Sequence, residues 1–208
     1  MNQNNIIFKL NENEQIVIEL IEPLEAVHCC YYEKIAFMQK RRKFYIGNDS
    51  IRYNLEDLKQ SLTKALDNKL KLHKSITTDI GYMSNEYQKL LYNDTPNNII
   101  QSIFPYEELG ESEYWVGDKY RLWGYGSRGV WIYNSGDDSI IFEVTPAYAG
   151  GFAYPQKCIP YNQWIKKYKP YLIRIIPRDV AQQWLEQCNA ILKQIEENIK
   201  RFQADDKF

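Results

Sequence analysis

From Val180 to Phe202, apolar side chains recur in steps of four, four, three, four, four and three: Val180, Trp184, Cys188, Ile191, Ile195, Ile199 and Phe202. A helix of 3.6 residues per turn puts all seven on one face, and no strand can. Pro177 and Asp179 stand where a first helical turn favours proline and an acid. The run predicts a helix over 178–202, and a stripe of that length demands an equally long apolar surface to lie on. That requirement excludes an all-β chain and calls for a sheet or helices upstream.

The sheet is legible just before it. Lys119–Tyr125, Val130–Asn134 and Ile140–Thr145 alternate with period two, and Pro146 stops the third run. Gly126-Ser127-Arg128-Gly129 and Ser135-Gly136-Asp137-Asp138 separate them with turn-forming residues. These segments predict an antiparallel meander over 119–145 bearing Trp123, Tyr125, Trp131 and Tyr133. Tyr171–Ile176 reads as one more strand, after a short helix around Tyr161–Tyr168. Upstream, 6–10 and 15–21 form a hairpin, and the aromatic load of 27–46 favours strands over a helix. Leu55, Leu58, Leu62, Ala65, Leu66 and Leu70 repeat at helical spacing after a candidate cap at Asn54. A weaker helix is expected over Asn85–Tyr92. Residues 93–113, with Pro96, Pro105 and Gly110, read as a long connection and a candidate subdomain seam. The expected fold is α+β and single-domain over 1–208: a mainly antiparallel sheet with its meander central, and the helices at 54–70 and 178–202 packed on it.

Composition narrows function by exclusion. In 208 residues, 26 Lys and Arg face 27 Asp and Glu, a net charge of −1, so no global field recruits nucleic acid. No run approaches the roughly 18 apolar residues of a membrane span. The N-terminus lacks the pattern of a secretory leader, and four cysteines without a C-x-x-C pair suit a reducing cytoplasm.

Several apparent motifs fail on their context. Gly124-Tyr125-Gly126-Ser127-Arg128-Gly129 matches G-x-G-x-x-G, but a strand follows it where a dinucleotide site needs a helix. His28-Cys29-Cys30 lacks the spacing by which one turn aims two ligands at a metal, since neighbours on a strand point to opposite faces. No metal and no cofactor are expected. With two histidines and neither G-x-S-x-G nor H-E-x-x-H, no nucleophile has a partner at useful spacing. Carboxylates at Glu107, Glu108, Glu111, Glu113, Asp137, Asp138 and Glu143 leave a hydrolase possible without selecting a pair. Lys40-Arg41-Arg42-Lys43 beside Phe44 and Tyr45 is either a phosphate-contacting patch or a solvated hairpin tip, and the neutral total charge favours the tip.

The aromatic set remains, with 17 Tyr, 5 Trp and 8 Phe. Tyrosine suits contact surfaces because a rigid ring and a hydroxyl serve both apolar and polar neighbours. The loop Ala147-Tyr148-Ala149-Gly150-Gly151-Phe152-Ala153-Tyr154 is either a recognition loop or a packed crossover. The expected contact set is Tyr125, Arg128, Asp137, Asp138, Tyr148, Phe152 and Tyr154.

The segments Tyr120–Gly126, Trp131–Asn134 and Glu143–Pro146, within this order of elements, resemble the small immunity proteins of bacterial contact-dependent inhibition and other polymorphic-toxin systems. The resemblance implies a cytoplasmic inhibitor, without catalytic residues, that binds the toxin encoded by the adjacent gene. A basic toxin would be steered by the acids near the meander. A carboxylate-dependent hydrolase, and a small-ligand or glycan binder with exposed rings along a groove, are the competing expectations.

Overall fold

A computed structural model describes residues 5–27, 32–109, 112–148 and 159–205. The first four strands form one antiparallel sheet in sequential order: β1 (Asn5–Lys9), β2 (Glu14–Glu19), β3 (Tyr32–Gln39) and β4 (Arg42–Ser50). The basic run is the tip of the β3–β4 hairpin: Lys40 and Arg41 make the turn, with Lys40 in the left-handed region at φ 52°. Lys43 pairs with Glu19, and its ammonium lies 4.9 Å from the Tyr45 ring centroid.

Helix α1 (Ile51–Leu66) follows without a loop. Ser50, and not Asn54, caps it, accepting from the backbone N–H of Tyr53. Asn54 lies one turn in, and its amide donates to the Asp49 carbonyl at 2.8 Å. Helix α2 (Ile80–Tyr92) starts a turn and a half before Asn85, with Asp79 as its cap. The described residues of 93–113 correct its reading as a connection: they include helix α3 (Asn97–Ile103) and strand β5 (Tyr106–Leu109), which pairs with β6 (Ser112–Trp115). Phe104 packs tilted on Tyr87 of α2, Trp115 stacks on the same ring, and Ile100 and Phe104 are buried in the common core. Pro96 opens α3 as its cap residue, where its missing N–H costs nothing.

The meander is present as β7 (Arg121–Tyr125), β8 (Arg128–Asn134) and β9 (Ile140–Pro146). Residues 118–120 form a 3₁₀ turn before β7. After the short helix α4 (Tyr161–Trp164), β10 (Leu172–Ile176) pairs with β9, giving a second antiparallel sheet in the order β10-β9-β8-β7. The chain is therefore α+β with antiparallel sheets. One face of this sheet, from Val130, Ile132, Phe142 and Val144, turns to the first sheet, and Phe37 stacks on Phe142 at 6.0 Å.

Helix α1 lies on the meander: Trp123 donates to the Asn54 carbonyl at 3.3 Å and Asn134 to the Ala65 carbonyl at 2.9 Å. Helix α5 (Arg178–Asp205) runs along α1 and the start of the first sheet. Trp184 meets Phe8 edge-on at 5.9 Å and donates to the Lys9 carbonyl at 2.8 Å. Buried Asn198 donates to the carbonyls of Leu24 and Val27. Cys188, on the same stripe, is a buried thiol pushed up to about 12 by desolvation.

Candidate functional site

The other face of the second sheet carries Gly129, Trp131, Tyr133, Ile141, Glu143 and Thr145, and α2 covers part of it. Glu143 stands on β9 with only 1% of its surface exposed. Its Oε2 accepts from the Tyr133 hydroxyl at 2.7 Å. Its Oε1 has no hydrogen-bond partner among the described residues, and the Asp79 carboxylate is close enough to act on the Glu143 carboxyl. Burial, and then Asp79, push the Glu143 carboxyl up to about 8, so near neutral pH the two neighbouring carboxyls hold a proton between them. Asp79 is held in place by the Tyr82 backbone N–H at 2.8 Å and by the Tyr168 hydroxyl. Burial beside these acids raises Tyr133 and Tyr168 above the ordinary phenol range. Gly81 is obligatory here, because a Cβ would collide with Thr145 and the Tyr168 hydroxyl.

Beside this pair, and separated from it by Gly81 and Thr145, a cleft of about 300 Å³ opens between α2 and the β7–β8 hairpin. Arg121, Ser84, Asn85, Trp131 and Thr145 line it together with the hairpin residues Gly124, Gly126 and Gly129, and Arg128 borders it while its side chain follows the face of β8 turned to the first sheet. Arg121 lies 5.2 Å from the Trp131 ring centroid, with Nη2 3.5 Å from the Ser84 hydroxyl. Arg128 donates to the Tyr45 carbonyl at 3.2 Å and lies 5.8 Å from the Tyr171 ring centroid. Gly126 takes φ +57°, the conformation that the tight β7–β8 turn requires.

Of the expected contact set, the structure brings Tyr125, Arg128 and Tyr148 to this end of the sheet. Tyr125 packs on Tyr45, and the Tyr148 N–H donates to Asn85 at 2.7 Å. The Tyr148 ring belongs to a packed cluster with Tyr161 and Trp164, and its hydroxyl donates to the Ile159 carbonyl. Asp137 and Asp138 occupy the β8–β9 turn at the opposite end, roughly 20 Å away along β8 at 3.3 Å per residue. Asp137 accepts from Ser135 and the Ser139 N–H, which lower its carboxyl, and Asp138 pairs with Lys71 at 2.8 Å. Phe152 and Tyr154 lie outside the described residues, as do Gly150, Gly151, Glu111, His28, Cys29, Cys30 and Cys158. Glu107 pairs with Lys119, and Glu113 accepts from Gln101, so these acids face partners within the chain.

Strand β10 contributes a feature that periodicity alone did not reveal. Tyr171, Ile173 and Ile175 are 56%, 51% and 60% exposed on an edge strand. Asp79 was also missed, although an aspartate directly before an apolar helical run is a cap signal. Starting α2 at Asn85 hid it. Among the described residues no three His, Cys, Asp or Glu side chains converge as metal ligands, and no helix is long and apolar enough to cross a membrane. The chain matches no protein-family model, no curated protein and no solved structure.

Proposed function

We propose that this chain acts by binding another protein, as an inhibitor of the immunity type that neutralises, in the cytoplasm, a toxin encoded by the adjacent gene. The observation that carries the reading is the outward row of β10. Among the described residues no strand pairs with the outer edge of β10, which leaves that edge as a place where a further strand can add. Tyr171, Ile173 and Ile175 add a large apolar contact beside it, with Arg128 over Tyr171 at its rim. Aromatic and aliphatic side chains ringed by polar groups are the usual composition of an interface centre. Ile99 and Ile103 on α3 are comparably exposed, but that short helix offers no open backbone edge.

Calorimetry with the product of the adjacent gene tests the proposal. The variant Ile173→Asp/Ile175→Asp removes apolar contact at two exposed positions and should weaken binding about 100-fold or more, while folding is retained. Asp137→Ala/Asp138→Ala, at the far end of the sheet, should change affinity little. Absence of association, or unchanged affinity in the β10 variant, overturns the proposal. The hydrolase alternative has one arrangement in its favour, the Asp79–Glu143 pair, since paired carboxyls with separated titrations serve acid–base chemistry. Glu143 is buried and does not line the cleft. Turnover of a substrate that Glu143→Gln abolishes would put that reading in place of ours.

A further inference from the structure

Building on the reading of β10 as a docking edge, we propose that the polypeptide strand that adds there is acidic at the end lying beside Tyr171 and apolar along the rest. From Pro160 to Arg178 the chain holds five cations, Lys166, Lys167, Lys169, Arg174 and Arg178, and no Asp or Glu. Two of the five are committed within the fold. Arg174 pairs with Glu14, and Arg178 donates to the Asn68 side chain and the Leu66 carbonyl. Lys166, Lys167 and Lys169 are exposed, and among the described residues none of them forms an ion pair.

These lysines stand on an anchored segment. Helix α4 ends in a 3₁₀ turn over Ile165–Lys167, and the chain then runs into β10. Between Lys167 and Lys169, the Tyr168 hydroxyl bonds the Asp79 carboxylate, and its ring meets Tyr82 and Trp164 edge-on. Arg128 adds a fourth cation here, 5.8 Å from the Tyr171 ring centroid and bonded to a neutral group, the Tyr45 carbonyl. The acids lie elsewhere. Glu143 of β9 is buried, and Asp137 and Asp138 stand beside Ile175 and Ile176 at the opposite end of β10. Along this edge the charge therefore runs from basic beside Tyr171 to acidic beside Ile175.

Side chains of an added strand alternate between its two faces, so apolar residues at every second position can continue the row of Tyr171, Ile173 and Ile175. Acids at one end of that strand would pair with the free lysines and speed encounter. The same acids at the other end would meet Asp137, so the charge gradient favours one direction of docking. An anionic lipid surface matches the patch less well. Hydrocarbon cannot continue a sheet, and it leaves the polar groups of an open strand edge unpaired.

Fluorescein-labelled peptides with the alternating core Thr-Val-Thr-Val-Thr probe the edge of the intact chain by anisotropy. They carry Glu-Glu or Lys-Lys at the N-terminal or the C-terminal end, in separate peptides. At low salt the better Glu-Glu peptide should bind about tenfold or more tightly than either Lys-Lys peptide. The margin should collapse near about 1 M salt, where charges are screened within about 3 Å. Lys166→Glu/Lys167→Glu/Lys169→Glu should reverse the preference, and the triple glutamine variant should erase it if the glutamate variant fails to fold. Ile173→Ser/Ile175→Ser, which adds no charge, should weaken every peptide. Equal binding of acidic and basic peptides, lost in the serine variant, would overturn the acidic partner and leave the docking edge standing. No binding of any peptide, or binding untouched by the serine variant, would overturn both. Vesicles of phosphatidylserine and phosphatidylcholine that sediment the wild type at physiological salt, but not the lysine variant, would make the patch a membrane surface and overturn the polypeptide partner.

Discussion

Glu143 shows how one buried residue sets a property of the whole fold. Its carboxyl holds its proton up to about 8, against 4.5 in an exposed setting. Between those values the folded chain binds a proton that the unfolded chain has released, so stability falls as pH rises across that interval. Urea unfolding from pH 5 to pH 8 should show the decline, with a limit of about 1.4 kcal/mol per pH unit for one proton. Glu143→Gln removes the titration, yet its amide can still donate toward Asp79 and accept from Tyr133. The variant should unfold with a flatter pH profile and should be the more stable protein at pH 8. An unchanged slope would assign the pH dependence to other groups.

At the scale of elements, α5 and β10 illustrate two kinds of attachment. The α5 stripe is an apolar seam, and Trp184 is its largest side chain, buried against Phe8 and hydrogen-bonded to Lys9. Trp184→Ala should cost about 3–5 kcal/mol in chemical denaturation, as truncation of a buried large aromatic does. A loss under about 0.5 kcal/mol, the range of surface substitutions, would place the stripe outside the core. Strand β10 is instead tied to the first sheet by charge: the Arg174 guanidinium grips Glu14 of β2, its Nε 2.8 and 2.9 Å from the two carboxylate oxygens. That contact leads the causes that hold the Glu14 carboxyl down at about 2. Its stabilisation is complete above about 4.5 and disappears as pH falls toward 2. Arg174→Ala leaves Glu14 buried without its cation. The expected loss is about 2 kcal/mol at pH 7, below the 3–5 of a fully buried pair because Arg174 is partly exposed. The loss should shrink in acid, and thermal melts at pH 7 and pH 3 read both.

For the whole molecule, the α+β class, the meander and the long final helix were legible because each rests on local periodicity that its own residues complete. The β3–β4 hairpin was legible for the same reason, through alternating aromatics around a basic turn. Helix α3 and the β5–β6 hairpin were not, because elements of four to seven residues are too short to show a period and prolines mask their ends. The site divides along the same line. Arg128 and Tyr125 could be named from the sequence as residues of an aromatic hairpin, but the neighbour that both touch, Tyr45 of β4, stands 80 or more positions earlier. Asp137 and Asp138 looked adjacent to them in sequence, yet β8 carries them to the opposite end of the sheet. The amino-acid sequence by itself determined which segments become strands and helices and which faces must be buried. Only the tertiary structure decided that Asp79 meets Glu143 and that Arg121 lies over Trp131 beside Ser84. It also decided that β10 closes the sheet with its apolar row outward. Pairings between residues 28 to 160 positions apart depend on how finished elements pack, and no local period encodes that.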